Sequence, residues 1–335
     1  LITKGWTEYH PLGVAGVITP WNYPFYLPMI AVTQALSAGC SAVLKPSELT
    51  PMSGLLIQDL AIEVGLPEDV IQVIHGDGAT GAALVEANTD VIGFIGSPHV
   101  GKSIAAEAAK TLKPIILDLG GKDAQIVLED ANVKTAARAA VTFGVFNAGQ
   151  TCTGIERVYV VDQIYDEFMA EATKAIQKLT VATGDGRDIG PIISPLQADI
   201  IKRHLDDAID KGASVIEGGS QTKTDHAVYY NPTLMENVDH SMVLMQDETF
   251  GPVVPVMRVA DEKEALELAN DSAYGLHGSV WTKDRARGKR VAGRMKTGSV
   301  AVNDHMINFV YPSIKLGGTG ISGLNGQLGE EGIKA

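Results

Sequence analysis

The sequence predicts an α/β protein in which a doubly wound parallel-sheet domain is followed by a second α/β domain. Short β-branched runs alternate with helical segments from residue 14 to residue 145, a pattern typical of parallel sheets with helical crossovers. The same alternation continues after Gly120-Gly121, which indicates a domain switch. With 335 residues, 45% of them apolar, the chain is long enough to bury two cores.

The first half divides into strands and helices at recognisable boundaries. Thr50-Pro51 combines a capping residue with a proline at the first helical position, which predicts a helix start. The predicted strands are 14–19, 41–45, 70–74, 91–95, 115–117 and 124–128. The predicted helices are 27–38, 50–64, 80–87 and 100–110. Ligands of such sheets bind at the carboxyl ends of the strands, so we expect binding residues there.

The second half repeats this alternation with longer helices. The predicted strands are 157–161, 253–259, 278–281 and 298–302. The predicted helices are 133–146, 165–179, 196–211 and 262–270. Between them we expect a glycine-rich turn at 184–190, a polar loop at 218–227 and an irregular glycine-rich tail at 316–329.

Composition excludes several classes of protein. The formal charge of −13 argues against nucleic acid or an anionic membrane as the main partner. No apolar run approaches the roughly 20 residues of a membrane span. Two cysteines make no disulfide framework, so we expect reduced thiols and a cytoplasmic or organelle-matrix location. The chain opens at Leu1 without a methionine, which suggests a piece of a longer protein.

The stretch 146–154 contains Cys152 among small and polar residues, directly after an apolar run. A thiol in this setting is either a small buried side chain or a nucleophile. A nucleophilic thiol needs a group that lowers its pKa or accepts its proton. The other cysteine, Cys40, follows Gly39 inside apolar sequence, and we expect it to be a core thiol.

The stretch Gly96-Ser97-Pro98-His99-Val100-Gly101-Lys102-Ser103 matches the phosphate-binding pattern G-x-x-x-x-G-K-[ST]. A P-loop nucleotidase is therefore one hypothesis, with Asp118 as the magnesium ligand. Pro98 and the bulky residues after it argue against that loop. A helix that starts after a glycine remains a good place for a dinucleotide pyrophosphate.

Other polar residues lie where predicted strands end. Asn22, in a rigid turn after the first strand, could donate to an oxyanion or only shape the turn. Lys45 and Glu48 follow the second strand and could bind ribose hydroxyls, or be solvated loop charges. Asp118 ends a strand and could be a general base or a cap.

Two further residues lie in the stretch 246–252. Phe250 could pack on a flat cofactor ring, with Glu248 beside it, and the alternative is an acidic surface loop. The eight histidines show no metal-ligand spacing, so no metal site is expected. His204 and His305 have no partner that is evident in the sequence.

Taken together, spaced motifs over essentially the whole chain resemble the NAD(P)-dependent aldehyde dehydrogenase superfamily. In chain order they are Pro20-Trp21-Asn22-Tyr23-Pro24, Leu44-Lys45-Pro46-Ser47-Glu48, Phe94-Ile95-Gly96-Ser97 with Gly101, Leu119-Gly120-Gly121-Lys122, Asn147-Ala148-Gly149-Gln150-Thr151-Cys152 and Glu248-Thr249-Phe250-Gly251-Pro252. The resemblance implies an aldehyde dehydrogenase fold, with a dinucleotide-binding domain at 1–120, a catalytic domain at 121–310 and a glycine-rich tail at 311–335 that returns to the domain junction.

The resemblance also implies a role for each matching residue. Cys152 would attack the aldehyde carbon, Asn22 and the Cys152 backbone N–H would bind the oxyanion, and Asp118 would occupy the position of the deacylating base. The cofactor contacts would come from Trp21, Lys45, Ser47, Glu48, Gly96, Ser97, Gly101, Glu248 and Phe250. Because Glu48 would repel a 2′-phosphate, NAD is favoured over NADP.

Two features depart from the family pattern. Asp118 stands where the family usually has Glu, and its carboxylate falls short by about 1.5 Å, one carbon–carbon bond; misplacement on that scale can cost about 10²-fold in rate. The tail 317–327 lacks the usual Lys and Arg. From the resemblance we expect residues 1–10 to be one strand of a subunit-pairing arm, and the family's final oligomerisation strand to come after residue 335.

These observations leave three functions open. The first is oxidation of an aldehyde to a carboxylic acid with NAD, by a protein that forms a homodimer or a homotetramer. An acylating dehydrogenase that releases the thioester to coenzyme A would not need a deacylating Glu. A non-catalytic member of the family would keep the fold as a binding or structural protein.

Overall fold

The computed structural model describes residues 3–181, 189–225, 227–307 and 311–334. The chain forms two compact units. The first unit comprises Leu1–Leu119, Pro312–Gly317 and Gly323–Ala335. The second unit comprises Gly120–Tyr311 and Gly318–Ser322.

The first unit alternates strands with helices. Its strands are β1 (Val14–Ile18), β2 (Ser41–Lys45), β3 (Ile71–Val73), β4 (Val91–Gly96) and β5 (Ile115–Leu119). Its helices are α1 (Tyr26–Ser37), α2 (Pro51–Glu63), α3 (Gly78–Glu86) and α4 (Pro98–Ala109). Helix α2 starts at Pro51 as predicted, although the Thr50 side chain makes no capping hydrogen bond.

The second unit follows the same alternation. Its strands are β6 (Asp123–Val127), β7 (Ile155–Val161), β8 (Ser214–Glu217), β9 (Gln221–Lys223), β10 (Val228–Tyr230), β11 (Thr233–Glu236), β12 (Val253–Val259), β13 (Gly278–Trp281) and β14 (Ala301–Val302). Its helices are α5 (Val133–Val145), α6 (Asp162–Ile176), α7 (Pro195–Asp210), α8 (Val243–Gln246), α9 (Glu262–Asn270) and α10 (Arg285–Ala292). The tail then returns to the first unit as β15 (Gly323–Leu324) and α11 (Gly329–Lys334).

The first sheet has the strand order β15-β5-β4-β1-β2-β3, in which β15 alone is antiparallel to its neighbour. One buried cluster joins Val17 and Val91 to residues of α1 and α2, and another joins Ile92 to residues of α3 and α4. Because neighbouring residues of β4 enter different clusters, apolar helices cover both faces of the sheet. The predicted doubly wound parallel α/β fold is confirmed.

In the order of this sheet, β1 lies between β4 and β2. The chain proceeds from β1 to β2 and β3 in one direction, and then crosses back to β4 on the other side of β1. The carboxyl ends of β1 and β4 therefore flank a topological switch point, where open α/β sheets bind ligands.

The second sheet has the order β14-β13-β6-β7-β12-β11-β8, with β8 antiparallel to β11 and the other pairs parallel. Its central strand β7 is buried along its whole length. Such burial on both faces explains the continuous apolar run at 158–161.

The predicted polar loop at 218–227 was wrong in part, because Gln221–Lys223 forms β9 and pairs antiparallel with β10. The residues of this hairpin are mostly exposed or half-buried. A hairpin that buries little carries no apolar alternation, and the sequence pattern therefore did not indicate it.

Most of the predicted turn at 184–190 lies outside the described residues. In the described part of the chain, no helix combines the length and apolarity that crossing a membrane requires.

Candidate functional site

The sequence-predicted residues of the first unit follow the carboxyl ends of its parallel strands. Trp21 and Asn22 lie half-buried between β1 and α1. Lys45 ends β2 and is 4% exposed, and the register places it opposite Ile18 of β1. Because these strands are parallel, their ends share one edge of the sheet.

Lys45 and Glu48 form an ion pair at this edge. The Lys45 Nζ donates to the Glu48 Oε2 at 3.2 Å, with the lysine buried and the glutamate exposed. Ser47, between them, is buried and accepts from the Leu49 N–H at 3.2 Å. A buried ammonium beside an exposed carboxylate can contact neighbouring hydroxyls of one ligand, as a ribose provides.

Gly96 ends β4, Ser97 leads into α4, and Gly101 lies near the start of that helix. The Ser97 hydroxyl accepts from the Val100 N–H at 3.4 Å and caps the helix. The helix N-terminus leaves N–H groups at the strand end, an arrangement that attracts phosphate.

The P-loop hypothesis is wrong for this stretch. Residues 98–103 are already helical, because α4 starts at Pro98. The residues between the two pattern glycines therefore form a helical turn, whereas a phosphate-binding loop wraps its backbone N–H groups around the ligand.

Asp118 is buried in β5 and is 3% exposed. Its backbone pairs with Ile95 of β4 and with Gly323 of β15. Within the described residues its Oδ1 has no hydrogen-bond partner. Burial raises the pKa of this carboxyl to about 7, which puts it within the range of a general base at neutral pH.

In the second unit, Cys152 lies on what we call the cysteine loop, residues 147–153, just before β7. Asn147, Ala148 and Gly149 all have positive φ angles, of 54°, 57° and 73°. Left-handed backbone costs free energy for residues other than glycine and persists where the surroundings hold it. Cys152 itself is half-buried, whereas Cys40 is in the core as expected.

Gln150 holds the cysteine loop with both ends of its amide. Its Oε1 accepts from the Ile193 N–H at 2.9 Å. Its Nε2 donates to the Asn147 and Pro191 carbonyls, at 3.1 and 3.3 Å. Since Gln150 is 5% exposed, these bonds satisfy groups that would otherwise be buried without partners.

The Gly120-Gly121 pair lies between Cys152 and Glu248. The Gly121 N–H donates to the Glu248 Oε1 at 3.0 Å. A Cβ at Gly121 would overlap the Cys152 carbonyl, and one at Gly120 would overlap the Glu248 carboxylate. The two glycines therefore let the Cys152 backbone carbonyl and the Glu248 carboxylate pack closely against one backbone segment.

Glu248 belongs to the Glu248 loop, residues 247–252, which precedes β12. Phe250 on this loop has a φ of 51°. Burial, with the negative charge of Glu156 as a further cause, raises the pKa of Glu248 to about 8. The Glu248 side chain is half-buried.

A buried ion pair supports the Glu248 loop. Lys122, which is 2% exposed, donates to Glu156, which is 7% exposed. The Glu156 carboxylate accepts from the Thr249 N–H at 2.8 Å and from the Phe250 N–H at 2.8 Å. Burial lowers the pKa of Lys122, and Glu156 opposes that shift. The carboxylate thus fixes the backbone on which Phe250 is presented.

Two further side chains contact the Glu248 loop. Gln197 donates to the carbonyls of Thr249 and Phe250 at 3.0 and 3.1 Å. The ring of His204 lies 3.1 Å from the Thr249 hydroxyl. His204, for which the sequence suggested no partner, therefore has one.

Sequence reasoning missed Glu156 and Gln197. Glu156 and Arg157 are adjacent charges inside an apolar strand, and buried charges of this kind require partners. That signal was available for Glu156. Gln197 follows Pro195 on an ordinary helix start, and nothing in the sequence distinguishes it.

The structure thus brings the predicted residues into two groups, each within one unit. One group lies at the carboxyl edge of the first sheet, and the other surrounds Gly120-Gly121 at the amino ends of β6, β7 and β12. Across the described ranges, no cluster of three or more His, Cys, Asp or Glu side chains could hold a metal ion.

Comparison with known proteins gives a consistent result. The model of the aldehyde dehydrogenase family matches residues 3–335. A 4,4'-diapolycopene aldehyde oxidase of Methylomonas sp is 40% identical over 326 residues, 97% of this chain and 61% of its own length. A Mycobacterium ulcerans protein provisionally named a succinate-semialdehyde dehydrogenase (NADP(+)) is 39% identical over 99% of this chain and 65% of its own.

A solved structure agrees at the level of the fold. The Mycobacterium tuberculosis aldehyde dehydrogenase complexed with NAD+ superposes with a TM-score of 0.93 at 37% identity, over 97% of this chain and 67% of that one. The chain thus spans about three fifths to two thirds of the length of the relatives it matches.

Proposed function

Because the chain belongs to the aldehyde dehydrogenase family, we propose that it oxidises an aldehyde to a carboxylic acid through a covalent Cys152 intermediate. The observation that supports this most is the position of Cys152 and Glu248 on either side of the double glycine. A cysteine on a hydrogen-bonded loop, separated from a candidate cofactor-binding carboxylate by one backbone segment, suits covalent catalysis coupled to hydride transfer.

In the proposed first step the Cys152 thiolate attacks the aldehyde carbon, and a C–S bond forms as the carbonyl oxygen becomes an oxyanion. We assign to the Asn22 amide and the Cys152 backbone N–H the donation of hydrogen bonds to that oxygen. Loss of the carbinol hydrogen as hydride then leaves a thioester on Cys152. Water finally releases the acid and returns the thiol.

The residues of the first unit fit a dinucleotide. A capped helix N-terminus lies at the end of β4, beside the switch point, and suits a pyrophosphate. We assign to Lys45, Ser47 and Glu48 the adenosine ribose, to Gly96, Ser97 and Gly101 the phosphate side, and to Trp21 a packing contact. The cofactor, when bound, supplies the hydride acceptor.

We propose NAD as that cofactor. The exposed Glu48 carboxylate can accept from ribose hydroxyls and would repel a 2′-phosphate. On the nicotinamide side we assign the ribose to Glu248 and the ring to Phe250. The name of the Mycobacterium ulcerans relative specifies NADP(+), so cofactor choice is tested with both dinucleotides.

Two acceptors, water and coenzyme A, are candidates for releasing the acyl group from the thioester. We propose Asp118 as the base that activates water, consistent with the pKa of about 7 that burial gives it. Its carboxylate is one methylene shorter than the Glu usual in the family. That shorter reach favours acyl transfer to coenzyme A as the alternative to hydrolysis.

A pre-steady-state assay tests these proposals. The protein is mixed with a panel of aldehydes and either NAD or NADP, and the reduced cofactor is followed through the first turnover. Hydrolytic oxidation gives continuing turnover, whereas a stoichiometric burst that resumes only with coenzyme A identifies an acylating enzyme. Cys152→Ser should abolish the burst. Binding of NAD without a burst from any aldehyde would support the non-catalytic alternative.

The Asp118 series tests the release step alone. Asp118→Glu should preserve or raise steady-state turnover, and Asp118→Ala should lower it. Because the ionised carboxylate is the base, turnover of the wild type should rise with pH through about 7. Equal turnover in all three proteins would remove Asp118 from the mechanism.

We further propose a homo-oligomeric protein of the cytoplasm. Neither Cys40 nor Cys152 forms a disulfide, which suits a reducing compartment. Size-exclusion chromatography with light scattering on the longest available form of the chain measures the oligomeric state.

A further inference from the structure

Two buried histidines lie next to the end of the cysteine loop. His277 is 1% exposed and His305 is 0% exposed. Their rings meet edge to face, with centroids 4.7 Å apart. Both belong to the second unit, His277 just before β13 and His305 just after β14.

The hydrogen bonds of these rings determine their tautomers. The His305 Nε2 lies 3.0 Å from the Thr153 carbonyl, and the His277 Nε2 contacts the His305 carbonyl. A carbonyl oxygen only accepts, so each Nε2 carries the proton. Burial lowers the pKa of His277 to about 4 and that of His305 well below its usual value, so both rings are neutral.

The other nitrogen of each neutral ring must then accept. The Ser279 Oγ lies 2.9 Å from the His305 Nδ1, and the Ser299 Oγ lies 2.7 Å from the His277 Nδ1. The Trp281 indole N–H donates to the Ser279 Oγ at 3.2 Å. The indole, the serine hydroxyl and the His305 ring thus form one directed chain of donors that ends on the Thr153 carbonyl.

Thr153 directly follows Cys152, and it is 0% exposed. Its carbonyl is therefore buried, and loss of its donor would leave it unsatisfied. The amide of Gln150 holds the cysteine loop two residues before Cys152, while the His305 ring holds it one residue after Cys152. The thiol lies between these two anchors.

We propose that His305 is a positioning residue for Cys152: it holds the end of the cysteine loop through the Thr153 carbonyl and so fixes the placement of the thiol. This inference rests on the proposed function, because it takes Cys152 as the nucleophile. His305 itself touches neither substrate nor cofactor in this scheme. Its contribution is the backbone geometry beside the reacting sulfur.

The test compares His305→Leu, which removes the donor, with His305→Gln, whose Nε2 can replace it. Both are made in a Cys40→Ala background, in which Cys152 is the sole thiol. His240→Gln is the matched control, because His240 bonds to Tyr159 and Asp271 instead. The readouts are the burst of reduced cofactor with its aldehyde KM, and the rate of Cys152 alkylation by iodoacetamide without substrate.

We expect His305→Leu to slow the burst at least about tenfold with little change in aldehyde KM, since misplacement near 1 Å can cost far more. Alkylation should rise about threefold as the freed loop exposes the half-buried thiol. His305→Gln and the control should stay within about twofold of the wild type for both rates. A burst in His305→Leu at the wild-type rate overturns the proposal, and so does equal loss in the Leu and Gln variants.

Two further measurements keep the test decisive. If His305→Leu does not fold, Ser279→Ala removes the hydroxyl that fixes the ring tautomer, and the same two rates are compared. Nitrogen-15 NMR of the histidine rings should show His305 protonated at Nε2 alone, and protonation at Nδ1 would contradict the anchor. If the wild type shows no burst with any aldehyde, the proposed function fails, whereas the alkylation contrast still decides the anchor.

Discussion

The cysteine loop and the Glu248 loop lie side by side in the second unit, and they are held in different ways. Both contain non-glycine residues with positive φ, such as Ala148 and Phe250. The cysteine loop is anchored by neutral groups, namely the Gln150 amide and the His305 ring. The Glu248 loop is anchored by the buried Lys122–Glu156 ion pair, with the half-buried Gln197 amide as an additional neutral contact.

Each kind of anchor suits the loop that it holds. A neutral anchor adds no fixed charge beside Cys152, and thiol reactivity depends on thiolate formation, which nearby charge changes. The carboxylate of Glu156 instead receives N–H groups from a strained turn, and charge-assisted hydrogen bonds are the stronger kind. The predictions below test this contrast through stability.

Lys122→Met should have the largest effect. It leaves the Glu156 carboxylate buried without its cation, which costs about 3–5 kcal/mol of unfolding free energy. Urea denaturation of the purified chain measures this cost. The double variant Lys122→Met/Glu156→Leu should recover only part of it, because no unpaired charge remains but the Thr249 and Phe250 N–H groups lose their acceptor. A single variant as stable as the wild type would show that the ion pair does not hold the loop.

Gly149→Ala tests where the two loops meet. Gly149 has a φ of 73°, and a Cβ there would overlap the Gly251 carbonyl. Overpacking together with left-handed strain should destabilise the chain by about 2–4 kcal/mol. Gly190→Ala is the matched control, since a Cβ at Gly190 meets nothing within 4 Å. Equal denaturation midpoints for the two variants would contradict the close approach of the loops.

The neutral histidines behind the cysteine loop predict a dependence on pH. The pKa of His277 falls from 6.5 to about 4 on folding, so the unfolded chain binds more protons between these values. The stability contributed by the neutral ring is complete above pH 6.5, and up to about 3 kcal/mol is lost as the pH falls towards 4.

Carboxyls such as Asp118 titrate over an overlapping range, so the measured quantity is the wild type minus His277→Gln. This difference in unfolding free energy should shrink as the pH falls from 6.5 to 4. Gly190→Ala serves as the comparison, because it changes no ionisable group and a Cβ there meets nothing within 4 Å, so its difference from the wild type should not change with pH. A difference that stays constant with pH would mean that the ring is not held neutral.

Replacing one glutamine that anchors each loop gives the smallest effects. Gln150→Leu leaves the Ile193 N–H and two carbonyls without their partner, which should cost about 1–3 kcal/mol because Gln150 is buried. Gln197 is only half-buried, so water can replace it, and Gln197→Leu should cost less than about 1 kcal/mol. Thermal unfolding of the two variants in parallel measures the ranking, and the reverse order would count against it.

The sequence was most informative where a pattern of residues is typical of one kind of structure or one kind of chemistry. The strand boundaries from β1 to β5 followed from β-branched runs between helices, and the cysteine stretch followed from its motif. Strand β9 was missed because its polar hairpin buries little. Glu156 could have been found as a charge inside an apolar strand, whereas Gln197 could not.

Periodicity and spaced motifs are local properties of the chain, and they were enough to predict the α/β class, the family and the candidate residues. The folded structure was needed to show that Pro98 starts a helix and so excludes a P-loop, that Gly121 lies between Cys152 and Glu248, and that the His305 ring bonds to the Thr153 carbonyl. Two of these findings are contacts between residues far apart in the sequence, 127 positions for Gly121 and Glu248 and 152 positions for Thr153 and His305. The third is local, because the backbone conformation at Pro98 distinguishes a helix from a P-loop with the same sequence pattern. The physical basis of the two distant contacts is burial, because a buried carbonyl, carboxylate or ring nitrogen requires a partner that the fold must bring to it.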